Sequence, residues 1–214
     1  EVLYMNPDTG YKIARYYENA RNAKADDWKD MEICMGIVRK LHQSGLRVGH
    51  SFDIRERIAF YERLCLQHGG IPFEDYKEVR GWMNELMDRL DQMDRPQCLC
   101  HIDANVDNFL MFEDGSAKLL DWEYAGMCDP IMDISMSAIY SYYDAEQTEK
   151  LLEMYLERKP SKEEYYSVFA NAALGGFLWC LWAVYKAALG EEFGEYTIIM
   201  YRYAKSYYKK LKAL

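Results

Sequence analysis

The stretch His101-Ile102-Asp103-Ala104-Asn105-Val106-Asp107-Asn108 concentrates polar side chains between two short apolar runs, Cys98-Leu99-Cys100 and Phe109 to Phe112. A polar loop held at both ends by rigid elements is where binding and catalytic groups gather. The residue types suit phosphoryl transfer, which asks for a carboxylate beside the acceptor hydroxyl and oxygen ligands for magnesium. His-x-Asp-x-x-x-x-Asn supplies both, with Asp103 as candidate base and Asn108 as candidate Mg2+ ligand. The next apolar run, Ala117 to Trp122, delivers Asp121 as a candidate second metal contact. Taken singly, these residues have commoner structural roles as a turn former, an Asx cap and a strand-end carboxylate. The ordered set points to chemistry.

Such a loop needs a scaffold. Turn residues Asn6-Pro7-Asp8-Thr9-Gly10 separate Val2-Leu3-Tyr4 from Tyr11-Lys12-Ile13, the pattern of a hairpin. Trp28, Met31, Met35, Val38 and Leu41 recur at helical spacing within a helix expected from Ala25 to Ser44, and Gly45 follows as a stop signal. Further helices are expected over 53–67, 74–93, 132–142, 145–158, 161–188 and 191–212, with short strands at 98–100, 109–112 and 117–122. The fold class is therefore mainly α with a few short β-hairpins.

The order of Asp103, Asn108 and Asp121 resembles the eukaryotic-like kinase superfamily, whose protein-kinase version reads His-Arg-Asp and then Asp-Phe-Gly. Here Ile102 replaces the Arg, and Trp122-Glu123 replaces Phe-Gly. His-x-Asp with Asp-Trp-Glu-Tyr is similar instead to choline and ethanolamine kinases and the related aminoglycoside phosphotransferases. The resemblance implies a protein-kinase-like carboxy-terminal lobe over 21–214, ATP and Mg2+ as cofactors, and a loop-bracing role for His101. It also makes Asp133, in Asp129-Pro130-Ile131-Met132-Asp133, the carboxylate that organises the loop, against the alternative of a helix N-cap. Glu123 is a candidate neighbour of the metal or a solvated carboxylate.

Trp179, Trp182 and Tyr185 follow one another at intervals of three on an apolar helix. A quaternary ammonium donates no hydrogen bonds and is bound through aromatic faces, at about 0.5–2 kcal/mol per contact. An aromatic stripe on an apolar helix is often simply core. Trp-x-x-Trp behind a kinase loop, however, resembles the choline-binding segment of choline kinases. Tyr140, Tyr142 and Tyr143 are candidates for the opposite wall, with Tyr140 and Tyr143 preferred.

No Gly-x-Gly-x-x-Gly or Walker-type run is present. Lys12 with Glu32 has the spacing of a phosphate Lys and its partner, but nothing resembling a Gly-rich loop precedes it. Residues 1–20 resemble instead the last hairpin and hinge of a kinase amino-terminal lobe, with Tyr17 and Glu18 near the adenine. The expected reading is a truncated kinase of impaired ATP affinity.

The net charge of −9 on 214 residues argues against nucleic acid and suits a cationic small molecule, here choline. The six cysteines are scattered in apolar segments and are expected to be reduced. Cys98 and Cys100 share a strand face, but no second Cys or His pair follows at zinc-finger spacing, so no metal site is expected there. Ala170 to Leu189 reads as a buried helix, with no membrane span, and a cytoplasmic location is expected. A homo-oligomer stays open. The competing readings are an ethanolamine phosphotransferase, an aminoglycoside phosphotransferase, whose polycationic acceptor would call for an acidic pocket, and a degenerate kinase-like binding module.

Overall fold

The apolar run after Pro160 becomes the axis of the molecule in the computed structural model, which describes residues 1–213. Helix α6, Lys162–Ala188, opens with a capping box in which Ser161 and Glu164 bond reciprocally, satisfying backbone groups the first turn leaves free. It is apolar on all sides because it is covered on all sides. It alone among the described helices has the length and hydropathy to cross a membrane, and 94% of its most apolar window is buried inside the protein.

Neighbouring helices close on this axis. They are α2 (Ile54–Gln67), α3 (Tyr76–Asp91), α4 (Ile131–Tyr140) and α7 (Tyr196–Lys212), while α1 (Trp28–His42) and α5 (Ala145–Leu156) complete the bundle. Two adjacent glycines, each costing a helix about 1 kcal/mol relative to Ala, are explained by this crowding. A Cβ on Gly175 would lie 2.8 Å from Met136 Sδ, and one on Gly176 would lie 2.6 Å from the Met200 carbonyl oxygen. The pair lets α4 and α7 approach the axis helix from different sides.

The strands are short and antiparallel. β1 (Val2–Met5) pairs with β2 (Lys12–Ala14) as expected. β3 (Arg21–Asn22), β5 (Phe109–Met111) and β6 (Ala117–Leu119) form a three-stranded sheet with β5 in the middle. β4 (Cys98–Cys100) pairs with β7 (Gly126–Cys128), with Cys98 opposite Cys128 and Cys100 opposite Gly126. The patterning misses β3 and β7 because each is too short to show a period of two.

Among the expected boundaries that move, two have a cause visible in the backbone. The strand expected over 117–122 stops at Leu119, since Asp121 takes φ +58°, a left-handed conformation no strand tolerates. The helix expected from 191 starts at Tyr196, because Gly190 and Gly194 take φ +92° and +55° and turn the chain.

Candidate active site

β4 carries the chain directly into the polar loop. His101 and Ile102 follow it, and Ile102 sits at φ +72°, a conformation that costs a β-branched residue about 1–3 kcal/mol. The buried carboxylate of Asp133 holds it there, accepting the His101 backbone N–H at 2.8 Å on Oδ2 and that of Ile102 at 2.6 Å on Oδ1. Asp133 is the third residue of α4, so it is not an N-cap; its side chain reaches across to the loop. Behind it, His42 Nε2 lies 2.9 Å from Asp133 Oδ2, and His42 Nδ1 lies 2.8 Å from the Tyr155 hydroxyl. In neutral His42, donation from Nε2 to the carboxylate leaves Nδ1 to accept from the tyrosine.

The loop then folds around Asp103. Asn108 Nδ2 donates to Asp103 Oδ2 at 2.7 Å and to its carbonyl oxygen at 2.8 Å, while Asn105 Nδ2 donates to Oδ1 at 3.0 Å. Asn105 Oδ1 accepts from the backbone of Asp107 and Asn108, capping the 3-10 turn Val106–Asn108. With its amide nitrogen used inward, Asn108 Oδ1 accepts nothing among the described residues and is free to act as a ligand. Burial raises the Asp103 carboxyl above its ordinary value, against the opposing hydrogen bonds from Asn105 and Asn108 and the nearby Tyr140 hydroxyl.

Asp121 is positioned through its neighbour Leu120. The Leu120 N–H donates to the Asn108 carbonyl at 2.8 Å, and His101 Nε2 lies 2.7 Å from the Leu120 carbonyl oxygen. The Trp122 indole donates to Leu119 O at 3.3 Å and meets the His101 ring edge-on at 4.8 Å. The exposed Asp121 carboxylate therefore starts from a backbone bonded to Asn108. Carboxylate and amide oxygens are the hard donors magnesium takes, so half-buried Asn108 and exposed Asp121 fit that ion. Glu123 is exposed two residues on.

An aromatic group adjoins Asp103. Trp179, buried and with its indole N–H on Met136 Sδ at 3.3 Å, has Tyr124, Tyr140 and Trp182 around it at centroid distances of 5.5, 5.9 and 6.1 Å. Trp182 continues to Phe193 at 4.7 Å. Burial pushes the Tyr124 phenol up to about 12, with Tyr61, Glu123 and Asp103 adding to the effect. Burial likewise raises Tyr140 and Tyr196, and the Asp103 charge contributes to both. The aromatic wall and the candidate base thus share one site.

The structure does not bring every expected residue to that wall. Tyr185 turns to α2, meeting His68 at 5.3 Å and Tyr61 at 6.4 Å. Tyr143 is buried against Trp28 at 5.1 Å, and its hydroxyl donates to the Ala25 carbonyl at 2.5 Å. Tyr17 lies against the β5–β6 hairpin, with its ring 5.2 Å from that of Phe112 and 5.7 Å from Lys118 Nζ, and Glu18 is exposed beside it. Tyr124, Phe193, Tyr196, Asn105 and His42 join the site without having been singled out from the sequence. Of these, Tyr124, as the last residue of Asp-Trp-Glu-Tyr, and Asn105, inside the polar loop, carried a local signal.

A model of the phosphotransferase enzyme family matches residues 18–167. The chain belongs to this family. It is similar to protein LicA of Haemophilus influenzae, at 24% identity over 209 residues covering 92% of this chain and 77% of that protein. A second LicA of Haemophilus influenzae is matched over 61% of its length, so the chain spans less than two thirds of that relative. Among solved structures, choline kinase LicA from Streptococcus pneumoniae superposes with a TM-score of 0.86 at 28% identity, covering 98% of this chain and 74% of the other. LicA in complex with AMP gives 0.85 at 27%, over 99% of this chain and 73% of the other. The fold is that of a kinase-like phosphotransferase, as the loop motif implied.

Proposed function

We propose that this phosphotransferase uses ATP to phosphorylate the hydroxyl of choline. The observation that carries this reading is the meeting of the two halves of the site: the Tyr140 phenol lies near enough to the Asp103 carboxyl for each to shift the other, and its ring packs at a tilt on Trp179, 5.9 Å between centroids. An acceptor whose cationic head lies on Trp179 and Trp182 then presents its hydroxyl toward Asp103. The similarity to a choline kinase over nearly the whole chain supports the same reading.

In this account Asp103 orients the acceptor hydroxyl and takes its proton as the oxygen attacks the terminal phosphorus. A carboxyl raised by burial is the better proton acceptor, provided it is ionised at the working pH. Asn108 and Asp121 would hold Mg2+, which when bound supplies positive charge against the phosphate oxygens. Glu123 lies close enough in sequence to Asp121 to belong to the same electronegative patch. Tyr17 and Glu18 would line the adenine end, consistent with a neighbour solved with AMP. Trp182 and the buried Trp179 would face the trimethylammonium group, and Tyr140 and Tyr124 would link that cage to the base.

Calorimetric competition among choline, ethanolamine and kanamycin tests the acceptor. Choline should bind and displace ethanolamine, because an aromatic wall favours the methylated ammonium. A site preferring kanamycin, with choline failing to compete, contradicts the cage.

A further inference from the structure

Behind the catalytic loop, on the far side of Asp133, one imidazole and two thiols converge. His42, Cys98 and Cys100 each present a donor atom, and these atoms all lie within 4.8 Å of one another. The sequence displayed only the two cysteines; the third donor arrives from the last turn of α1, which packs against β4.

The spacing of the sulfurs is informative. Cys98 Sγ and Cys100 Sγ are 3.7 Å apart. Two thiolates on a tetrahedral zinc, with Zn–S bonds of about 2.3 Å, stand about 3.8 Å apart. A disulfide would need about 2.05 Å between the sulfurs and a Cα separation below about 6.8 Å, which alternate residues of an extended strand only just reach. The observed 3.7 Å, also the length of a thiol–thiol hydrogen bond, matches the sulfur–sulfur edge of a shared tetrahedral ion. Pairing of β4 with β7 fixes both cysteines on one face, and the hydrogen bonds of His42 to Asp133 and Tyr155 fix the ring. Cys98 is partly exposed and gives an entry path, while Cys100 is buried.

The geometry points to a site for one thiophilic d10 cation, such as Zn2+, held by His42, Cys98 and Cys100 and separate from the candidate magnesium ligands. Soft thiolates select this class of ion over magnesium. Two thiol protons leave to solvent as the ion binds, and His42 exchanges one of its ring hydrogen bonds for the metal. The Asp133 carboxylate beside the ring adds favourable charge. This site stands on its own donors and does not depend on the choice of acceptor.

The test is a titration of the reduced, metal-free full-length protein with Cd2+, followed by the ultraviolet thiolate-to-metal charge-transfer band. One equivalent should saturate the band, and prior Zn2+ should suppress it. Cys98→Ser, at a partly exposed position, should keep the parent's circular dichroism and lose at least about tenfold in affinity. Alkylation mapped by mass spectrometry supplies a second readout, with Zn2+ protecting Cys98 in the parent. A parent without the band, a Cys98→Ser protein with the parent's affinity, or equal labelling of Cys98 with and without Zn2+ would overturn the site.

Discussion

Asp133 Oδ1 accepts the backbone N–H of Ile102 at 2.6 Å, and Ile102 is the residue held at φ +72° immediately before Asp103. A strained turn and a buried carboxylate are thereby joined, and the position of the candidate base follows from the bond between them. Asp133→Asn leaves one acceptor oxygen for two N–H groups and turns an amide donor toward the other. Loss of a buried, charge-assisted pair costs about 2–4 kcal/mol. Denaturant titration should show a loss of that order, and turnover should fall by more than acceptor affinity.

The pH dependence follows from the raised carboxyl of Asp103. A base must be ionised, so activity declines as pH falls through its pKa, which burial places above the ordinary carboxylate range. The nearby Tyr140 hydroxyl opposes that shift by favouring the charged form. Tyr140→Phe keeps the ring against Trp179 and removes that hydroxyl, so the acid limb of the kcat profile should move to higher pH. An unmoved limb would separate Tyr140 from the base.

Trp182 is the accessible face of the aromatic group, whereas Trp179 is buried and its truncation to Ala would cost about 3–5 kcal/mol of stability. Trp182→Ala should weaken choline binding by about 0.5–2 kcal/mol, and Trp182→Phe by less. Isothermal calorimetry reads both, with ethanolamine affected less than choline.

Gly176 reports on the scaffold. Its missing Cβ leaves room for the Met200 carbonyl, which an added methyl would meet at 2.6 Å. Gly176→Ala gains helix propensity yet should lower stability by about 1–3 kcal/mol through overpacking against α7. A thermal midpoint at or above the parent's would contradict this account of the glycine.

The loop was readable from the sequence because Asp103, Asn108, Asp121 and Asp133 fall in a fixed order within one stretch of chain, and Asn108 bonds directly to Asp103. The strand ending was not, since nothing in Leu119-Leu120-Asp121 announces the left-handed turn. Tyr140 and Tyr143 sit at helical spacing, but α4 ends at Tyr140 and Tyr142 takes φ +56°, so the two rings part company. On α6 three residues advance about 300°, so each step from Trp179 to Trp182 to Tyr185 drifts about 60° and carries Tyr185 round to α2. His42, Phe193 and Tyr196 join through tertiary packing, which leaves no local mark in the sequence.

The most direct test of the central claim compares Asp103→Asn with the parent in the full-length protein, measuring choline-dependent ADP release and choline binding together. The carboxamide retains the size of the side chain but cannot take the proton. Turnover should fall by about 10²–10⁴ with the choline dissociation constant nearly unchanged. Turnover equal to the parent's would contradict the assignment of Asp103 as the base.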